Sequence, residues 1–231
     1  MTDSRSLRGI GMTSARTRER LIKRLREAGI RHPALLDRIR SVPRHLFVDE
    51  ALSSRAYEDN PLPIGHGQTI SQPYVVAYMT QALLENDGEL RVLPKVLEIG
   101  TGCGYQTAVL APFVRQLFSV ERISSLLRLT RSRLASLGVD NVRLRNDDGF
   151  GGWPGQAPFD GIIVTAAPEQ VPAVLLEQLA EGGRLVLPVG PEGGEQRLLR
   201  ITRTADGFDR QELGKVAFVP MLEGRQKDAG R

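Results

Sequence analysis

Apolar residues recur at helical spacing through the first third of the chain. Between Arg16 and Ala28, the residues Leu21, Ile22, Leu25 and Ala28 share one face, and Gly29 supplies a C-terminal stop. Pro33 opens a second, shorter helix carrying Leu35, Leu36 and Ile39, which Pro43 ends. The stretch from Asn60 to Pro73 is rich in Pro, Gly and Gln and has too little periodicity for an element, so it reads as a loop. Pro73 then takes the first turn of a third helix, with Val76, Met79 and Leu83 turned inward.

From Lys95 the pattern alternates between strand and helix. Short apolar runs stand at Val96–Ile99, Leu117–Val120, Val142–Leu144, Gly161–Thr165 and Leu185–Val189. Helical stretches separate several of them, best shown by Ile123, Leu126, Leu127, Leu134 and Leu137 before Gly138. Such alternation predicts an α/β fold with a mostly parallel, doubly wound sheet covered by helices on both faces. Two later strand candidates, Arg197–Thr204 and Lys215–Pro220, lack an intervening helix and are expected as an antiparallel pair at one edge. No repeat, low-complexity tract or long linker divides the chain. It is expected to be one domain, 1–231, with a helical N-terminal elaboration (1–90) ahead of a Rossmann-like core (91–231).

Composition adds limits. The 41% hydrophobic and 25% charged residues are those of an ordinary globular protein. No apolar run nears the ~20 residues of a membrane helix, and the polar Met1–Arg8 stretch does not resemble a signal peptide. One cysteine, Cys103, excludes an internal disulfide framework and fits the cytoplasm. With three histidines beside it, no zinc-ligand spacing exists and no metal is expected. The net charge of +4 is uneven: residues 1–45 hold twelve Lys/Arg against four Asp/Glu. Nucleic-acid binding would use such a patch, but aromatic stacking residues are absent there. The solvated face of basic helices is the plainer account.

The first chemical signal lies at the carboxyl end of the first strand, where an open parallel sheet binds its ligand. Val96-Leu97-Glu98-Ile99-Gly100-Thr101-Gly102-Cys103-Gly104-Tyr105 is an apolar strand running into alternating glycines and then a helix. The dinucleotide fingerprint fails, because Tyr105 or Thr107 falls where its last glycine belongs. The spacing E-x-G-x-G-x-G instead resembles the first motif of Rossmann-like methyltransferases. An acid at Glu98 suits a cofactor carrying an ammonium and a sulfonium, and would repel a pyrophosphate. Glu121 follows the second strand, 21 positions after Gly100, where nucleotide-binding sheets hold ribose hydroxyls. After the third strand, Asn146-Asp147-Asp148-Gly149 offers an acid for an adenine amino group and a glycine that leaves room for the ring. Thr165 to Pro168 would line the same crevice.

Together these segments resemble the protein-L-isoaspartate O-methyltransferase family. The resemblance is carried by Leu62 to Tyr74, with its Gly-Gln-Thr-Ile-Ser-Gln-Pro core, by Val96 to Leu110, by Phe159 to Ala167 and by Val216 to Met221. It covers about Arg16 to Met221. Two departures stand out: Cys103 where the family usually has serine, and Asp147 where it usually has glycine. The resemblance implies S-adenosyl-L-methionine as cofactor and isoaspartyl proteins and peptides as substrates, with neither nucleic acid nor membrane as partner. It implies Ser71 as the active-site serine that hydrogen-bonds the reacting carboxylate, with Val219 and Pro220 on the substrate side. Thr69, Ile70 and Gln72 would cover the cofactor, beside Glu98, Gly100, Gly102, Gly104, Glu121, Asp148, Gly149 and Thr165. A covalent role for Ser71 lacks a G-x-S-x-G elbow, whereas capping of the helix at Pro73 is a structural alternative. A methyltransferase for nucleic acid or small molecules would lack its Asn/Asp-Pro-Pro-aromatic motif here. A binding protein without turnover is the other competing class.

Overall fold

The computed structural model describes residues 11–226. Helices α1 (Ala15–Glu27) and α2 (Pro33–Ser41) lead into two short 3-10 turns, Arg44–Phe47 and Glu50–Arg55. The hairpin β1 (Leu62–Gly65) and β2 (Gln68–Ile70) follows, then α3 (Pro73–Leu84) and a small hairpin, β3 (Glu85–Asn86) and β4 (Glu89–Leu90). The core comprises β5 (Leu93–Ile99), α4 (Tyr105–Leu110), β6 (Val114–Glu121), α5 (Ser124–Ser136), β7 (Val142–Asn146) and β8 (Phe159–Val164). It ends with α6 (Ala173–Glu177), β9 (Leu179–Val189), β10 (Gln196–Thr204) and β11 (Gly207–Val216).

One seven-stranded sheet runs in the order β11-β10-β9-β8-β5-β6-β7. The five strands from β9 to β7 are parallel, and β10 and β11 return antiparallel at one edge. The central strand β5 is apolar on both faces, with Val96, Leu97 and Ile99 buried, because helices cover each side. From β5 the chain winds first to β6 and β7, then back to β8 on the other side. The crevice between the ends of β5 and β8 is therefore a topological switch point, where open α/β sheets bind ligands.

Three sequence expectations change. The stretch from Asn60 to Pro73 contains the β1–β2 hairpin, whose His66-Gly67 tip has both φ angles positive, 55° and 70°. That two-residue turn suits the right-handed twist of the strands. The last strand is β11, at Gly207–Val216, and not Lys215–Pro220. From Ala217 the chain leaves the sheet, touching it again through the Ala167–Pro220 bridge. Strand β11 escapes a periodicity reading because it is an edge strand bearing Asp209, Arg210, Glu212 and Lys215, whose few apolar residues are half-buried or exposed and do not alternate regularly.

The third change concerns the basic N-terminal segment. Arg16, Arg20, Lys23 and Arg26 are solvated as expected. Others cap backbone carbonyls instead. Arg24 donates to Tyr57 O at 2.7 Å, and Arg38 donates to Ala108 O through Nε and Nη2 at 3.0 and 2.6 Å. Arg44 is fully buried; it donates to Ala56 O through Nη1, and to Asn60 O and Ser71 O through Nη2 at 3.1 and 3.0 Å. Its guanidinium also lies 5.5 Å from the Tyr105 ring centre. One apolar cluster joins Leu21, Leu35 and Phe47 of the elaboration to Tyr105, Val109 and Leu134 of the core.

Arg44→Met should lower stability by at least about 2 kcal/mol, since three carbonyls lose their donor in a buried setting. Thermal melting checks this. Arg44→Lys should fall between, because one ammonium nitrogen cannot reach acceptors that Arg44 spans with two separate nitrogens; wild-type melting in both variants would remove the structural role.

Candidate active site

The loop after β5 is held from below. Glu98 is completely buried, and its Oε2 accepts from Thr107 Oγ1 and Ser119 Oγ, each at 2.6 Å. Ser119 Oγ lies 2.7 Å from Thr101 Oγ1, which carries the contact up to the glycine loop. The other carboxylate oxygen, Oε1, has no hydrogen-bond partner among the described residues. Burial pushes Glu98 up to about 7, against the pull of the two hydroxyls. Glu98 does not line the cavity above the loop. The structure thus places it beneath that loop as a support, off the lining of the cavity where it was expected.

The cavity occupies the switch point. Its floor is Gly100, Thr101 and Gly102, with Ile99, Val120 and Glu121 from the strand ends. Gly100 has φ +91°, and a Cβ there would run into the Thr165 hydroxyl. That hydroxyl donates to Gly100 O at 2.6 Å, locking the end of β8 to the loop. Glu121 is 5% exposed. It is fixed by Gly102 N on Oε2 and Ile123 N on Oε1, both at 2.8 Å. Burial pushes its carboxyl up, and these backbone donors oppose the shift. Each oxygen keeps acceptor capacity for a ligand hydroxyl.

Two segments roof the cavity. The β1–β2 hairpin contributes Ile64, Gln68, Thr69 and Ile70, and its tip is fastened where His66 Nε2 meets Ser125 Oγ at 3.0 Å. The C-terminal segment contributes Val219, Pro220, Met221 and Leu222. It is fastened by Gly224 N donating to Asp148 Oδ2 at 2.7 Å and by Arg122 Nε donating to Gly224 O at 3.1 Å.

Most of the residues expected at the site meet here: Thr69, Ile70, Ser71, Gly100, Gly102, Glu121, Gly149, Thr165, Val219 and Pro220 all line the cavity. Gly104, Gln72 and Asp148 do not. Gly104 begins α4 with a left-handed φ of +89°. Asp148 spends Oδ1 on Phe150 N at 2.9 Å and Oδ2 on Gly224 N, so it anchors the roof. Gln72 Nε2 donates to Asp59 Oδ2 at 3.1 Å. Asp59 Oδ1 also accepts from Tyr74 N at 2.8 Å, so the α3 terminus is capped by Asp59 and not by Ser71. Of the two departures, Asp147 pairs with Arg145 outside the cavity. Cys103 lines the cavity, and burial pushes its thiol up. Sequence reasoning missed Asp59, Arg44, Ile64 and Gln68. The Gly65-His66-Gly67 turn was the one available signal for the last two.

A second cavity of about 620 Å³ adjoins the first. Thr69, Ser71, Thr165 and Val219 line both. The Ser71 hydroxyl makes no hydrogen bond to the described residues, so an uncommitted donor and acceptor stands at the junction.

The donor set fits a sulfonium cofactor. Its floor offers backbone, hydroxyls and a buried carboxylate, and the one lining guanidinium, Arg122, is occupied by the carbonyls of Glu223 and Gly224. No free cation on the lining awaits a phosphate. Fold and site together are those of a Rossmann-like, class I S-adenosylmethionine-dependent methyltransferase. The family model described as Protein-L-isoaspartate(D-aspartate) O-methyltransferase (PCMT) matches residues 16–226. The chain belongs to that family. It is 58% identical to the protein-L-isoaspartate O-methyltransferase of Halorhodospira halophila over 221 residues, 96% of this chain and 98% of that protein. The Pseudomonas aeruginosa enzyme of the same name is 60% identical over 214 residues, 92% and 99% of the two chains. A solved protein-L-isoaspartate O-methyltransferase superposes with a TM-score of 0.77 at 27% identity, covering 88% of this chain and 65% of its own. A Plasmodium falciparum structure described as the same kind of enzyme, in complex with S-adenosyl-L-homocysteine, gives 0.73 at 24% identity over 89% and 98% of the chains. The reaction is methyl transfer from S-adenosyl-L-methionine to the α-carboxylate of L-isoaspartyl residues.

Two expectations follow. Glu98 has its folded value, about 7, above the unfolded 4.5. Its stabilising contribution is therefore complete below about pH 4.5 and is lost as pH rises through 7, at a cost of up to about 3 kcal/mol. Glu98→Gln cannot ionise, so relative to wild type it should gain melting temperature between pH 5 and pH 8. A difference that stays flat across that range would show that Glu98 does not titrate there. Glu121→Ala should weaken S-adenosylmethionine binding by roughly 1–3 kcal/mol, and unchanged affinity by calorimetry would remove Glu121 from the site.

Proposed function

We propose that Ser71 holds the substrate carboxylate at the junction of the two cavities, where it meets the cofactor's methyl group. The observation that carries this reading is that Ser71, with its hydroxyl free, lines both cavities. The cofactor supplies an electrophilic methyl. The protein has little else to do chemically. A peptide α-carboxyl, with an ordinary value near 3.3–3.7, is already ionised and nucleophilic at neutral pH. No general base is needed, which agrees with a lining whose carboxylate, Glu121, is committed to backbone amides. Rate comes from alignment, worth up to ~7–11 kcal/mol for well-oriented reactants. Ser71 orients the carboxylate by donating its hydroxyl. Arg44 fixes Ser71 by holding its carbonyl, and Asp59 fixes the next turn of backbone through Tyr74 N. Thr69 and Ile70 cover the cofactor, and Glu121 takes its ribose hydroxyls. The backbone amide nitrogen of the following residue then attacks the methyl ester and expels methanol, closing a succinimide. Addition of water to that ring returns part of the product as normal aspartate.

Elaboration and core act as one unit in this reading, since the elaboration supplies Ser71 and the hairpin part of the roof while the core and C-terminal segment supply the rest. Damaged proteins are its partners. A nucleic-acid role is disfavoured because Arg18, Arg24, Arg38 and Arg44 are spent on internal carbonyls. The buried thiol of Cys103 suits the cytoplasm.

Radiolabelled methyl transfer to paired peptides, one with isoaspartate and one with aspartate, tests the assignment: labelling should be confined to the first. Equal labelling of both, or of neither, overturns it. Ser71→Ala should leave S-adenosylmethionine affinity near wild type while turnover falls by about 10- to 1000-fold. Intact-mass measurement of wild type mixed with cofactor alone should show no added methyl; an adduct on Ser71 would establish a covalent route.

A further inference from the structure

We propose that the second cavity is a side-chain subsite selecting an apolar or aromatic residue beside the isoaspartate. This rests on the placement of the reacting carboxylate at Ser71. Adjacent residues of a peptide are about 3.8 Å apart at Cα. A carboxylate anchored at the shared wall therefore carries one chain neighbour into the space beyond it. That space, about 620 Å³, lies within the ~300–1,000 Å³ usual for ligand pockets.

The walls state what fits. On one side the Tyr74 and Tyr78 rings stack at 5.6 Å with planes 15° apart. On the other stand Leu213, Val216 and Phe218, half-buried and apolar. The Tyr78 hydroxyl donates to Leu213 O at 3.2 Å, tying α3 to β11 and fixing the width of the slot. A wall held this way costs little ordering when a ligand enters. Lys215 is the one lining residue charged at neutral pH, and its ammonium is paired with Glu195. A charged neighbour would leave water for a slot without a partner, whereas an apolar one gains by burial.

The experiment compares isoaspartyl peptides that differ in one flanking residue, leucine or phenylalanine against glycine, placed in turn before and after the isoaspartate. At one of those two positions wild type should favour the apolar peptide by roughly 10-fold or more in kcat/KM, mostly through KM. Tyr78→Ala should bring that ratio close to 1, and Tyr78→Phe, which keeps the ring as a wall but gives up the tie to Leu213 O, should hold an intermediate ratio. Leu213→Ser, on the opposite wall, should lower it too, and decides the matter if Tyr78→Ala fails to fold by circular dichroism. A wild-type ratio near 1 at both positions, or a ratio that survives both wall variants, overturns the subsite. Failure to methylate any isoaspartyl peptide is a separate outcome: it overturns the placement at Ser71, and the subsite with it.

Discussion

A buried guanidinium holds the active-site loop in place. Arg44 has lost its water and gained three backbone carbonyls, from Ala56, Asn60 and Ser71. Burial pulls its proton affinity below the ordinary arginine range, and its electrostatic interaction with Tyr105 opposes that shift. A desolvated cation is expensive, and removing it would leave three acceptors unpaired. Ser71 is thereby tied to the helical elaboration and not merely draped over the sheet. The described part of the helical elaboration builds the wall that carries Ser71 to the edge of the cavity.

A second constraint works from beneath. Glu98, Thr107, Ser119 and Thr101 form a buried hydrogen-bonded column under the glycine loop, and Glu121 grips the same loop at Gly102. Both carboxylates are pushed up by burial. They differ in access: Glu121 faces the cavity and Glu98 does not. The same acidic spacing thus supplies one residue that can touch a ligand and one that sets the shape of the loop touching it. The roof segments complete the enclosure by hydrogen bonds between residues far apart in sequence, such as Asp148 with Gly224 and His66 with Ser125.

What the sequence alone determined was local in its physics. Strands buried on both faces show as apolar runs, and amphipathic helices show as periodic stripes. A strand running into alternating glycines marks the one turn where backbone must approach a ligand. The fold class and the glycine loop that marks the cofactor class were legible for that reason, whereas Ser71 was expected only from the family resemblance of its loop. The tertiary structure decided what depends on the far side of a contact. Glu98 and Asp148 carry the residue type expected of cofactor ligands, yet a carboxylate's partners are set by whatever packs against it: Thr107 and Ser119 for one, Gly224 for the other. Arg44 and Arg38 look like solvated charges until α2 and the turn after it are packed against the core. Strand β11 has no buried face, so only its pairing with β10 defines it. Local periodicity records burial along one element, whereas a site is made where several elements meet, and which elements meet follows from the order of the strands.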